Sequence, residues 1–216
     1  MPLPYKPFTP DRLELKWMLA ERVGDDKQVV REKEPDEDLY DFIISGRRDS
    51  FYILLEFEIN GVCLPRFWGF DYCDIDSSLT NALVFPWNIG KRISGYTILN
   101  FKSLCNEPFT REEARVLYER CNPAASAEEI EELVDLYYRD EEVYYYMERQ
   151  HTPLYCCAMC GDPRCPAWAV AVSEKDGHIC WYMQDVREPV FEKQAYLDAF
   201  REYRLMIEKA IEMQNT

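Results

Sequence analysis

Three cysteines lie close enough in the sequence to bind one metal ion. Cys157 and Cys160 form a Cys-x-x-Cys pair, and Cys165 follows five residues later. Residues 161–163, Gly-Asp-Pro, predict a turn between them. Structural zinc takes four nitrogen or sulfur ligands in a tetrahedron. The spacing therefore predicts a zinc-binding loop of three thiolates that needs a fourth ligand from outside the loop.

Strand geometry removes two candidates for that fourth ligand. The Lys-Asp-Gly sequence at residues 175–177 predicts a hairpin turn, and His178 and Cys180 follow on its return strand. Cys180 should then pair with Ser173, which lies eight residues beyond Cys165. Along a strand this separation is about 26 Å. Neither His178 nor Cys180 can reach the loop unless the hairpin is broken.

His151 is the preferred fourth ligand. It lies six residues before Cys157 and reaches the loop if the chain folds back at Pro153. Cys156 is less suitable, because neighbouring residues on a strand point to opposite faces. A cysteine distant in the sequence ranks second. The distant candidates are Cys63, Cys73, Cys105 and Cys121.

The same thiols have other uses that the sequence leaves open. Free cysteines are commonly packed in protein cores, and this is the alternative to zinc. A redox or disulfide role is the third alternative, although a reactive thiol needs a neighbouring positive charge. Arg164 is the nearest one, and Asp162 offsets it. Cys157 or Cys160 paired with His151 would be a nucleophile for a thiol-dependent enzyme.

The overall charge restricts the class of partner. The 216 residues include 40 acidic and 25 basic ones, which gives a net charge of −15. Phosphate backbones and anionic membrane surfaces attract basic proteins, so direct binding to nucleic acid or to a membrane is not expected. Solubility alone accounts for such a charge, and neutralisation of a basic protein partner is the functional alternative. The oligomeric state is left open.

The first residues and the cysteine usage predict a cytoplasmic protein. The start of the chain, Met-Pro-Leu-Pro-Tyr-Lys-Pro-Phe, lacks the charged and apolar regions of a signal peptide. No apolar run approaches the ~18 residues of a membrane span. Nine cysteines are an odd number, and their spacing is not typical of a disulfide framework. We expect thiols or metal ligands in a reducing compartment.

Hydrophobic periodicity and turn residues predict mixed helices and strands in the first half of the chain. Asn60-Gly61 is the strongest signal, because both residues of its hairpin turn favour positive φ. The predicted elements are a strand at 13–19, a charged and solvated connection at 21–38, a helix at 39–44, a hairpin of 51–59 with 62–68, and a short helix within 71–85.

Two capping boxes organise the second half. Thr110 with Glu113, and Ser126 with Glu129, place a hydroxyl three residues before a carboxylate at a helix start. The predicted elements are helices at 110–121 and 126–150, a hairpin of 168–172 with 179–183, and a final helix at 192–213. The chain therefore predicts one α+β domain over residues 1–216. Its sheet is mostly antiparallel, built from hairpins, and packed against long helices of the C-terminal half.

The cysteine loop and the hairpin after it resemble an uncharacterised bacterial family with a Cys-x-Cys-Gly-x-x-x-Cys loop followed by a β-hairpin. The family's first cysteine falls at Ala158, where this chain offers Cys157 instead. The resemblance implies no activity. The matching residues are Cys160-Gly161, Cys165, Val170 to Val172, Cys180-Trp181, Phe191 and Tyr196.

Function is predicted from charge and from the scarcity of acid–base groups. The chain has only two histidines, which favours binding over chemistry. We expect a cytoplasmic, non-enzymatic interaction protein, for example an immunity-type or inhibitor protein that masks a basic partner. The alternative is a metal- or thiol-dependent enzyme that uses Cys157, Cys160 and Cys165.

Overall fold

The computed structural model describes residues 8–23, 26–45, 51–69, 79–81, 95–107, 109–138, 151–157, 168–183 and 186–214. Within these ranges the chain forms nine strands and seven helices. Both sheets are antiparallel, so the predicted α+β class is confirmed.

The first sheet is built around the Asn60-Gly61 turn. Asn60 and Gly61 have φ angles of 57° and 75°, the left-handed region that this hairpin turn requires. On its other side, the strand before this turn pairs Ile59 with Leu13 and Leu55 with Trp17 on the buried face. The strands are β1 (Leu13–Val23), β2 (Asp26–Glu32), β3 (Phe51–Ile59) and β4 (Val62–Cys63), in the order β2-β1-β3-β4.

The second sheet contains the other predicted hairpin. Asp176 and Gly177 form its turn with φ angles of 52° and 76°. Ser173 pairs with Cys180, which confirms the register predicted from the sequence. The strands are β5 (Leu79–Asn81), β6 (His151–Cys157), β7 (Trp168–Lys175), β8 (His178–Tyr182) and β9 (Val190–Glu192), in sequential order.

Helices occur in both halves of the chain and not only in the C-terminal half. Both capping boxes begin helices, as predicted, whereas residues 139–150 of the second predicted helix lie outside the described residues. The helices are α1 (Leu39–Ser45), α2 (Leu64–Phe67), α3 (Gly95–Leu104), α4 (Arg111–Cys121), α5 (Ala127–Tyr138), α6 (Lys193–Ala199) and α7 (Arg201–Gln214).

One hydrophobic cluster joins the two sheets and the C-terminal helices. Phe57 of β3 packs edge-on against Trp181 of β8, with ring centroids 5.9 Å apart. Tyr196 of α6 and Phe200 continue this aromatic core. A second, smaller cluster holds α3, α4 and α5 together. Its buried members are Leu99, Ala114, Tyr118, Ile130 and Val134.

The chain before β1 ties the two sheets together. Asp11 forms an isolated parallel bridge with Phe191 of β9, and its carboxylate accepts hydrogen bonds from Asn60 Nδ2 at 2.6 Å and Arg187 at 2.8 Å. The Val190 amide donates a third at 3.1 Å. One side chain therefore connects the β3–β4 turn with the loop before β9.

Two predictions for the first half of the chain are wrong. The charged segment 21–38 is not only a solvated connection, because residues 26–32 form β2 by pairing with β1. The described part of the helix predicted within 71–85 is strand β5, which pairs with β6. In both cases, hydrogen bonding to a neighbouring strand of the sheet overrides the conformation that the local sequence pattern predicts.

Two further predicted elements are correct only in part. The return strand predicted at 62–68 ends at Cys63, because Pro65 lacks an amide for the ladder and instead opens α2. The final helix is two helices that meet at Phe200, whose ring stays buried beside Tyr196.

Candidate functional site

The structure places the predicted zinc ligands His151 and Cys157 at opposite ends of β6. His151 pairs with Ala171 and Cys157 with Leu79, so the chain does not fold back at Pro153. Six residues of extended strand span about 20 Å. Zinc ligands lie within about 2.3 Å of one ion. His151 and Cys157 are therefore too far apart to share a metal.

The prediction of a structural zinc is corrected. Among the described residues, no three or more His, Cys, Asp or Glu side chains are grouped to hold a metal ion. The extended course of β6, which pairs with β7 at its start and with β5 at its end, is the physical reason that His151 cannot complete the loop. Cys160 and Cys165, the other two members of the predicted site, lie outside the described residues.

Of the four distant cysteines, Cys73 lies outside the described residues and the other three have other roles. Cys63 is disulfide-bonded and therefore is not a zinc ligand. Cys105 and Cys121 are free and buried, and burial raises the pKa of the two thiols to about 12 and about 11. Both thiols stay neutral at physiological pH, as packed core residues do. Cys180 is also a free thiol, on β8.

Among the described residues, α4 and α5 form an acidic pair of helices. A capping box at each N-terminus fixes where the helix begins. In α4, the Glu113 amide donates to the Thr110 hydroxyl at 3.2 Å and the Thr110 amide donates to the Glu113 carboxylate at 2.6 Å. Ser126 and Glu129 repeat this arrangement at α5, at 3.2 and 2.7 Å. Hydrogen bonds from the capping amides lower the pKa of both glutamates, so both remain charged.

Ion pairs fix α4 and α5 in an antiparallel hairpin. Arg111, at the start of α4, contacts Asp135 in the second half of α5 and lies 3.2 Å from Glu131. One turn later, Arg115 Nε lies 2.6 Å from Glu131. The two side chains form an ion pair, but the geometry is not that of a hydrogen bond. Arg111 and Arg115, four residues apart on α4, thus contact Asp135 and Glu131, which are four residues apart on α5.

The outer face of this hairpin is acidic. Helical spacing places exposed residues at positions i, i+4 and i+7 of α4 on the side opposite the buried Ala114 and Tyr118. Val116, at the centre of that row, is 53% exposed. We call this surface the acidic helix face. It consists of Glu112, Val116, Glu119 and Arg120 from α4, and Glu128 and Glu132 from α5. Glu112 also lies 3.3 Å from Arg115 as an ion pair.

The hairpin also concentrates the charge of the chain. Residues 111–135 contain eight acidic residues and three arginines, a net charge of −5 out of the −15 of the whole chain. Two of the arginines already pair with α5 carboxylates. The capping boxes predict both helices, but the antiparallel pairing that gathers their glutamates on one face depends on contacts between them.

None of the described helices has the length and apolar character needed to cross a lipid bilayer.

Comparison of the chain with protein-family models, with curated proteins and with solved structures finds no match. The resemblance of the cysteine loop to an uncharacterised bacterial family therefore stays a prediction.

Proposed function

We propose that the protein is a non-enzymatic binding protein that recognises a basic protein partner through the acidic helix face. The observation that supports this most directly is the concentration of eight acidic residues against three arginines in residues 111–135. An immunity-type or inhibitor protein that masks a basic surface in the cytoplasm is the concrete form of this function.

The physical basis is electrostatic complementarity. A negative patch attracts a positive partner before contact and so raises the association rate, most strongly at low salt. The second hydrophobic cluster, with the ion pairs of Arg111 and Arg115 beside it, holds the two helices in one arrangement before the partner arrives. Val116, which is 53% exposed on α4, adds an apolar contact to this face.

The test compares two surfaces of the same protein. The wild-type chain is immobilised, captured proteins are identified, and the purified partner is titrated against variants. Glu119→Gln/Glu132→Gln removes two charges from the acidic helix face. Glu208→Gln/Glu212→Gln removes two exposed charges from α7 and is the matched control. We expect the first variant to bind on the order of tenfold more weakly and the control to bind like wild type.

Salt dependence gives a second measurement. The association rate of wild type should fall as ionic strength rises, and the variant of the acidic helix face should show a smaller fall. A captured partner that is acidic, or equal weakening by both variants, would contradict the proposed function.

A further inference from the structure

We draw no further inference here: the strongest candidate, the cluster of aromatic rings that Trp68, Tyr155 and Trp168 form between the end of α2 and the strand pair β6–β7, contains a buried indole N–H of Trp68 that no described residue accepts, but residues 70–78 and 158–167, which adjoin the cluster in the sequence, lie outside the described residues, and nothing in the structure shows what pairs with that group.

Discussion

The indole Nε1 of Trp181 donates a hydrogen bond to the hydroxyl of Tyr196 at 3.0 Å, in the core between the second sheet and α6. That hydroxyl in turn donates to the carbonyl of Leu104 at 2.7 Å. Burial raises the pKa of Tyr196 well above its ordinary value, so the hydroxyl keeps its proton and remains a donor. This chain of hydrogen bonds connects β8, α6 and the end of α3.

Tyr196→Phe should therefore destabilise the protein strongly. The change leaves the buried indole N–H and the Leu104 carbonyl without their partner, which costs about 2–4 kcal/mol in the free energy of unfolding. Urea unfolding followed by tryptophan fluorescence measures the loss. Leu205→Ala, at a side chain that is 59% exposed, is the control and should cost much less. Equal stability of Tyr196→Phe and wild type would contradict this reading of the core.

Asp11→Ala should loosen the connection between the two sheets. The substitution removes the acceptor of three hydrogen bonds, one of them charge-assisted by Arg187. We expect a loss of about 2–3 kcal/mol in the free energy of unfolding. Asp36→Ala, at an exposed turn residue, is the comparison and should change stability by less than about 0.5 kcal/mol. If the two variants unfold at the same denaturant concentration, Asp11 does not hold the sheets together.

Thr110→Ala should weaken α4 and, through it, the acidic helix face. The loss of an N-cap costs about 0.5–2 kcal/mol. Thr110→Ser retains the hydroxyl that accepts from the Glu113 amide and should recover most of the stability. Thermal unfolding followed by circular dichroism distinguishes the two variants, and equal melting temperatures would show that the cap does not support the fold.

Acid should remove part of the stability that the capping carboxylates provide. The pKa values of Glu113 and Glu129 are lowered in the folded protein, first by backbone hydrogen bonds from Thr110 and Ser126. Their contribution is therefore complete above the ordinary value of 4.5 and is lost as the pH falls below it. Glu113→Gln/Glu129→Gln should show a shallower fall in melting temperature in this acid range. An unchanged profile would contradict the assigned hydrogen bonds.

Thiol counting tests the disulfide of Cys63 and, with it, the cytoplasmic location predicted from the sequence. Of nine cysteines, two are consumed by one disulfide, so at most seven should react in unfolded, unreduced protein. Disulfides persist mainly in oxidising compartments. Nine reactive thiols in protein isolated with rapid alkylation would show that Cys63 is reduced where the protein resides.

The local elements were predictable where a few neighbouring residues decide the conformation. Asn60-Gly61 and Asp176-Gly177 adopt the positive φ angles that their hairpin turns need. The capping boxes at Thr110 and Ser126 begin helices because their hydrogen bonds close within three residues. None of these signals depends on the rest of the fold.

Neither the outcome of the zinc prediction nor the acidic helix face could be predicted from such local signals. Cysteine and histidine spacing suggested zinc because sequence distance says nothing about whether the intervening chain is folded back or extended. The pairing of β6 with β5 and β7 keeps His151 and Cys157 at opposite ends of one strand. The acidic helix face likewise depends on the packing of α4 against α5 in the second hydrophobic cluster, with the ion pairs of Arg111 and Arg115 beside it.

By itself, then, the sequence determined the α+β class, the two hairpin turns, the two capped helices and the net charge of −15. Only the tertiary structure decided that a charged segment is the edge strand β2, and that Tyr196 bonds a carbonyl 92 residues away. The physical reason is the range of the interactions. Turns and caps are satisfied by adjacent residues, whereas strand ladders and buried hydrogen bonds need partners that only the folded chain brings together.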